Sequence, residues 1–278
     1  MTDSVRNRSL LTTFIMYGIL AIGTLLVLIP FWWMIITSFE TLRTTAMPNP
    51  PRFYPHEFTF DNYRMVLDRV DIARYTLNNF ILMTLSFLFN AITASLAGFA
   101  LSKGRFPLRN VLLIFFLSSL MVPFESRIIE IHRIINMIGL NDSFAGYLMP
   151  GIMTNAFYIF LMKKAFDDMP DSLMESANMD GAPLRTIWFR IYLPLILPVV
   201  AAMGVLDAVN VWNDLLWPLI IFRSRELFTV QLALMRFLNP HAGILSAFVM
   251  LSIVPISVVF LIFQKWIIQG IATSGIKG

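Results

Sequence analysis

Cysteine is absent from the 278 residues, which excludes a disulfide framework, a thiolate metal site and a cysteine nucleophile. Charge is scarce as well. Asp, Glu, Lys and Arg make up 14% of the chain, against about 25% in soluble domains. So little polar surface cannot cover a water-exposed globule. The three histidines, His56, His132 and His241, lie far apart and lack the H-E-x-x-H spacing of a zinc site. No glycine is followed by lysine anywhere, so the G-x-x-x-x-G-K-[ST] loop that cradles phosphates is missing. The G-x-S-x-G nucleophile elbow is missing too. A net charge of +4 without clustering leaves no nucleic-acid footprint.

What is present is apolar: 57% of the residues are hydrophobic, the composition of a polytopic membrane protein. A helix needs about 20 apolar residues to cross a bilayer. Six stretches approach that length, at 12–37, 79–101, 109–124, 144–162, 194–216 and 244–263. In the absence of strand-type alternation, the expected class is all-α with six transmembrane helices. Arg6 and Arg8 precede an apolar run from Leu10 to Thr37 that is far longer than the apolar region of a signal peptide and has no Ala-x-Ala site. It reads as a retained first span. The third stretch is short before Pro123. It either continues through the isoleucine-rich segment 126–138 or hands over to an interfacial helix there. With the N-terminus inside, eleven Lys and Arg fall on inner segments and ten on outer ones, so the positive-inside rule says little. The short connection Ser102–Asn110 carries Lys103, Arg105 and Arg109 with no acid, which favours cytoplasmic N- and C-termini. The outer segment 40–76, with Pro48, Pro50, Pro51 and Pro55, reads as a small folded loop. The 17 methionines and 25 phenylalanines are read as lipid-facing or packing residues.

The longest inner connection is the most legible. Ser172 followed by Glu175 has the spacing of a capping box, which starts a helix. Gly181 suits a left-handed stop, Pro183 suits the first turn of a second helix, and Pro194 opens the fifth span. Glu175-Ser176-Ala177, Gly181 and Ile191-x-Leu193-Pro194 resemble the EAA-x3-G-x9-I-x-L-P motif of binding-protein-dependent ABC importer permeases, with Ser176 in place of the second alanine. Further resemblance to the carbohydrate branch, and to its maltose-type second permease subunit, runs along the chain. It includes Thr59-x-x-Asn62-Tyr63, Ala97-Gly98-Phe99-Ala100-Leu101 with Arg105-Phe106, and Trp212-Asn213 with Pro218-Leu219. Phe263-Gln264-Lys265-Trp266, Gly270 and Lys277-Gly278 complete it. Glu130 departs from the pattern, since relatives commonly have proline there.

The resemblance implies an ABC importer type I permease fold in the bacterial cell membrane. It divides the chain into 1–75, with the first helix and outer loop, and a core of 76–278 with a coupling hairpin at about 171–193. It makes Glu175, Ser176, Ala177, Asp180 and Gly181 the residues that engage an ATP-binding subunit. It implies as partners a homologous second permease, two ATP-binding subunits that hold ATP and magnesium, and an extracytoplasmic substrate-binding protein. The chain itself then needs no cofactor. The implied cargo is a di- or oligosaccharide or a sugar derivative; glycerol phosphates or other polyol derivatives are the alternative.

Polar side chains inside a span are expensive, and they face a cavity or a neighbouring helix. Asp207, Asn210 and Asp214 share one helical face, close to Trp212 and Asn213. A carbohydrate wants carboxylates and amides for its hydroxyls and an aromatic surface for its ring. Asp207, Asn210, Trp212 and Asn213 are therefore candidates to line a pathway, or else they bond a neighbouring helix. Asp214, Asn90, and Asn155 with Tyr158 are read as interhelical contacts. Two other classes stand against the importer. An ion-coupled secondary transporter would use Asp207 but needs inverted repeats, and an intramembrane enzyme or anchored scaffold needs clustered His, Asp or Ser at one depth. Neither pattern is visible.

Overall fold

The computed structural model describes residues 2–41, 53–237 and 241–275. Among them the chain is helical, with one isolated bridge between Glu40 and Phe58. Three helices are long and apolar enough to cross a membrane, and three bent helix pairs raise the count to as many as six if each pair is one span.

Contacts divide the chain into two units, residues 1–71 with 237–254, and 72–236 with 255–278. The first unit is built around helix α1, Thr2–Ser38. Its apolar stretch is exposed from Phe14 to Ile29, and only the last turns, at Ile36, Thr37 and Ser38, are buried. A helix end leaves four carbonyls without partners. Here the Ser38 hydroxyl and the Phe39 and Glu40 amides take those of Ile35, Ile36 and Thr37, and the Thr59-x-x-Asn62-Tyr63 segment takes that of Ser38. Asn62, on α2 (Asp61–Arg69), donates through Nδ2 to the Ser38 and Glu40 carbonyls, both at 3.0 Å. The hydroxyls of Tyr63 and Ser38 pair at 2.8 Å, and the Thr59 hydroxyl accepts from the Asp61 amide. Phe39, Phe58 and Phe60 stack beside this clamp. Gly243 rests on it so closely that a Cβ would come within 2.7 Å of Asn62 Nδ2. Pro48, Pro50 and Pro51 lie outside the described residues, as do Lys277 and Gly278.

The spine of the second unit is α3, Ile72–Lys103. The third expected span is broken. Helix α4, Arg109–Ser119, is followed by α5, Phe124–Met137, after a bend of 101°. Eleven residues of α4 reach only about 16 Å at 1.5 Å per residue. The segment 126–138 lies in a second helix that buries Ile128 and Ile135, and α4 and α5 are long and apolar enough for one span only as a bent pair. The fourth stretch is also two helices, α6 (Phe144–Thr154) and α7 (Ala156–Asp167), separated at Asn155.

The hairpin expected at 171–193 comprises α8, Ser172–Met179, and α9, Leu184–Leu195, which contains a π-helical turn at Ile187–Tyr192. Pro194 does not open the fifth span, as expected, but ends α9. A bend of 76° at Ile196 leads into α10, Leu197–Asn213. The reason is local: Pro194 lacks an N–H and would press on the carbonyl four residues earlier in a regular helix. The wider π turn relieves that crowding, and Pro198 then starts α10. Helices α11 (Leu216–Ile221) and α12 (Val230–Arg236) follow, and α13, Ala242–Gly275, is longer than the expected sixth span.

Two apolar clusters fill the second unit. One joins Leu82, Tyr147, Trp212, Trp217, Phe222 and Phe228. The other joins Phe99, Met162, Phe166, Ala177, Ile187 and Tyr192, and so includes the hairpin. Glycines set how closely the helices approach. At Gly98 of α3 a Cβ would lie 2.7 Å from both the Lys163 amide nitrogen and Met162 Cβ on α7. At Gly204 of α10 it would meet the Phe87 ring at 2.7 Å. Backbone cannot yield as a ring can. Gly98→Ala should therefore cost about 1–3 kcal/mol, as overpacking does, and Gly204→Ala distinctly less. Thermal unfolding of the purified variants in detergent measures the difference.

Candidate functional site

In the hairpin, helix α8 does not begin with the expected capping box. Asp171 occupies the N-cap position and Ser172 is the first helical residue. The Asp171 carbonyl starts the helix by accepting from the Met174 and Glu175 amides, at 2.9 and 3.0 Å. Its carboxylate bonds Lys103 Nζ at 2.6 Å instead of capping the first turn. That hydrogen bond and the lysine charge hold the Asp171 carboxyl below its ordinary value.

The stop is as read from the sequence. Gly181 has φ of +69°; its amide donates to the Asn178 carbonyl, and that of Ala182 to the Ala177 carbonyl, both at 3.0 Å. This is the Schellman arrangement, which needs a left-handed residue. Pro183 stands one position before α9, and its carbonyl accepts from the Thr186 and Ile187 amides. Ala177 is buried against the subunit's own core, while Glu175, Ser176, Asp180 and Gly181 are exposed. Met179 is 88% exposed, with Leu184 and Phe189 also open. These three apolar residues were not singled out in the sequence. They fall at the unspecified positions of the motif, where no residue type signals a role.

Between the two apolar clusters sits a buried polar group. Asn90 of α3 donates to Asp207 Oδ1 of α10 and to Ser86 Oγ, both at 3.2 Å. Asp207 is 4% exposed and Asn90 2%, and the Ser86 and Tyr158 hydroxyls turn toward the same carboxylate. Asn210, on the exposed side of α10, reaches the Tyr158 hydroxyl at 3.4 Å. The four pathway candidates therefore separate. Asp207 and Trp212 face the interior, the indole against Phe80. Asn210 and Asn213 lie on the open surface of α10 beside Leu206 and Val209. Asn213 donates back to the Val209 carbonyl at 2.9 Å.

Asp214 has left the shared face, because α10 ends at Asn213. Its carboxylate accepts from the Trp217 amide at 3.3 Å and from the Tyr147 hydroxyl at 3.0 Å, so it caps α11. Asn155, read as an interhelical contact, is likewise a cap, accepting from the Tyr158 amide.

A chain of long apolar helices with a glycine-stopped hairpin can now be set beside known proteins. The family of binding-protein-dependent transport system inner membrane components matches residues 80–273. The chain belongs to that family. It is a permease subunit of an ABC importer and has no ATPase site of its own, which removes the ion-coupled, enzymatic and scaffold readings. Among its relatives, the arabinooligosaccharides transport system permease protein AraQ of Bacillus subtilis is 32% identical over 81% of both chains. The lactose transport system permease protein LacG of Rhizobium radiobacter is 28% identical over 99% of both. The sn-glycerol-3-phosphate transport system permease protein UgpE of Pectobacterium atrosepticum is 33% identical over 71% of this permease and 72% of its own length. The fold is that of a chain in the crystal structure of a bacterial ABC transporter involved in the import of the acidic polysaccharide alginate. The TM-score is 0.79 at 24% identity, over 92% of this permease and 96% of that chain.

In this permease the Asp207–Asn90 bond joins α3 to α10 inside the apolar region, where a lost partner is not replaced by water. Asp207→Leu should leave the Asn90 amide without its acceptor and cost about 1–3 kcal/mol, with Asp207→Asn losing less. Unfolding midpoints of the two variants in detergent check this.

Proposed function

We propose that this permease pairs with a homologous second permease to import a carbohydrate, driven by two ATP-binding subunits that alone hold ATP and magnesium. An extracytoplasmic binding protein delivers the cargo to the outer segments. In this reading there are six spans, three of them bent pairs, with both termini on the cytoplasmic side and residues 1–75 preceding a core of 76–278. The basic connection containing Lys103, Arg105 and Arg109 supports that orientation. The inner hairpin is the contact with an ATP-binding subunit, and alternating access follows from its displacement.

The observation that carries this reading is the tip of the hairpin. Glu175, Ser176, Met179, Asp180 and Gly181 are exposed, while Ala177, Ile187 and Tyr192 anchor the same hairpin in the subunit's core. An exposed methionine flanked by carboxylates, on a helix rigidly stopped by Gly181, suits a groove on a soluble partner. Gly181→Pro tests it. Proline holds φ near −65° and has no N–H, so neither the left-handed turn nor the bond to the Asn178 carbonyl can form. Membrane insertion should persist while uptake falls to background, and Glu175→Lys should act in the same direction. Wild-type uptake by inserted Gly181→Pro would refute the coupling assignment.

Relatives that carry oligosaccharides and a relative that carries glycerol phosphate leave the cargo class to be decided by chemistry. No Lys or Arg occurs between Ile191 and Phe222, the stretch holding α10 and α11. A phosphate is held by cationic side chains, whereas the Asn210 and Asn213 amides can both donate to and accept from neutral hydroxyls. Uptake in cells expressing the complete transporter should be inhibited by a neutral oligosaccharide and unaffected by sn-glycerol 3-phosphate. Inhibition by the phosphate alone would reverse the assignment.

A further inference from the structure

The last residue of α3, Lys103, is tied to the hairpin at three points. Its ammonium donates to the Met169 carbonyl at 2.8 Å and to Asp171 Oδ1 at 2.6 Å, and lies 5.8 Å from the centre of the Tyr192 ring. Met169 and Asp171 form the approach to α8, and Tyr192 closes the π turn of α9. One cation thus touches both arms of the hairpin from the end of the helix that runs through the whole second unit.

Stability alone is a poor explanation of this arrangement. The Lys103 side chain is 6% exposed whereas that of Asp171 is 82% exposed. An ion pair with one partner in solvent contributes little stability, and withdrawing an ammonium from water is unfavourable. The geometry instead fixes position. Asp171 gives up capping its own helix to meet Lys103, and the neighbouring connection is shaped around the same end of α3. Arg109 donates to the Ser102 and Gly104 carbonyls at 3.0 and 3.3 Å. Ser102 bonds Asp167 of α7 at 2.6 Å, and Asp167 also pairs with Lys163.

We infer that Lys103 is a positioning residue that carries displacement of the hairpin into α3, through Asp171 and Met169 on one arm and Tyr192 on the other. This rests on the reading that the hairpin engages an ATP-binding subunit. It adds a residue outside the docking surface on which transport per ATP depends. Apolar packing of Ala177 and Tyr192 with Phe99 keeps the hairpin against α3, but the Lys103 link fixes its register, so that motion imposed at the tip passes along α3 toward Asn90 and Asp207 without slip. Without it the hairpin can slide against α3, and hydrolysis proceeds with less reorientation of the spans.

The test uses the complete transporter, co-expressed with its partner subunits and reconstituted in vesicles with its binding protein. Three quantities are read: ATP-binding subunit recovered per permease, ATP hydrolysis, and substrate moved per ATP. Lys103→Met should recover the ATP-binding subunit normally but move about tenfold less substrate per ATP, within the range that mutations along a coupling path produce. Lys103→Arg should restore the ratio to within about twofold, and Asp171→Ala should show a partial loss of about two- to fivefold. Substrate per ATP equal to wild type in Lys103→Met overturns the inference, as does loss of the ATP-binding subunit, which would make Lys103 part of the dock. If Lys103→Met does not fold, exposed Asp171→Ala decides, and an unchanged ratio there overturns it equally. Failure of the underlying reading looks different: Glu175→Lys would keep full coupling and normal recovery of the ATP-binding subunit in the same assay.

Discussion

Inside a bilayer there is no water to satisfy a backbone amide or carbonyl, so every interruption of a helix must bring its own partner. This chain interrupts its helices repeatedly, and a few Asn and Asp side chains stand at the breaks. Asn62 takes the carbonyls at the end of α1, Asn155 accepts from the first turn of α7, and Asp214 does the same for α11. Asn78 donates to the Glu226 and Phe228 carbonyls and Asn79 accepts from the Val230 amide, so two adjacent residues of α3 hold the segment between α11 and α12. Asp142, itself at φ of +54°, accepts from the Arg223 and Ser224 amides and from the Ser224 hydroxyl. Burial opposes ionisation, but these donors and the Arg223 charge outweigh it and keep the carboxyl below its ordinary value.

That economy explains why α3 is central. It receives α7 at Gly98, α10 at Phe87 and Asn90, the connection between α11 and α12 at Asn78 and Asn79, and the hairpin at Lys103. Backbone contact at Gly98 leaves no slack for sliding between α3 and α7, whereas α10 meets α3 through a ring and a pair of polar side chains. Of the two contacts, the one at Gly204 and Asp207 is the softer and the better placed to change during transport.

Much of the fold could be read from apolar run length, because α1, α3 and α13 are uninterrupted and hydropathy alone finds them. The bends could not. At Leu120–Pro123 and Ile196 the chain turns by 101° and 76° without becoming polar, and a measure of apolarity cannot register a change of direction. Pro123, Pro194 and Pro198 marked these places, but a proline specifies where a regular helix fails and leaves open how the chain proceeds. The hairpin was legible at Gly181, where stereochemistry admits few residues. It was less so at Ser172, because Asp171, one position earlier, offers the same capping chemistry and its competing partner Lys103 lies 68 residues away in sequence. The sequence pattern puts Asp207, Asn210 and Asp214 on one face of α10, yet Asp207 is buried and Asn210 exposed. The end of α10 at Asn213 sends Asp214 to cap α11, and periodicity holds no information about where a helix stops.

The same physics bears on how force can travel. Ala177, Ile187 and Tyr192 are buried together with Phe99 of α3 and Met162 and Phe166 of α7, and close-packed interiors transmit displacement with little compression. The Schellman turn at Gly181 fixes α8 against α9, so the hairpin has no free hinge at its tip. The bend at Ile196 is different: α9 and α10 meet there without a continuous hydrogen-bonded helix, with Pro194 and Pro198 two residues to either side. A displacement applied near Met179 therefore passes stiffly into α3 and α7 through the inner cluster, while α10 can change its angle at Ile196. Relative motion of α10 against α3 then concentrates on the Asn90–Asp207 bond.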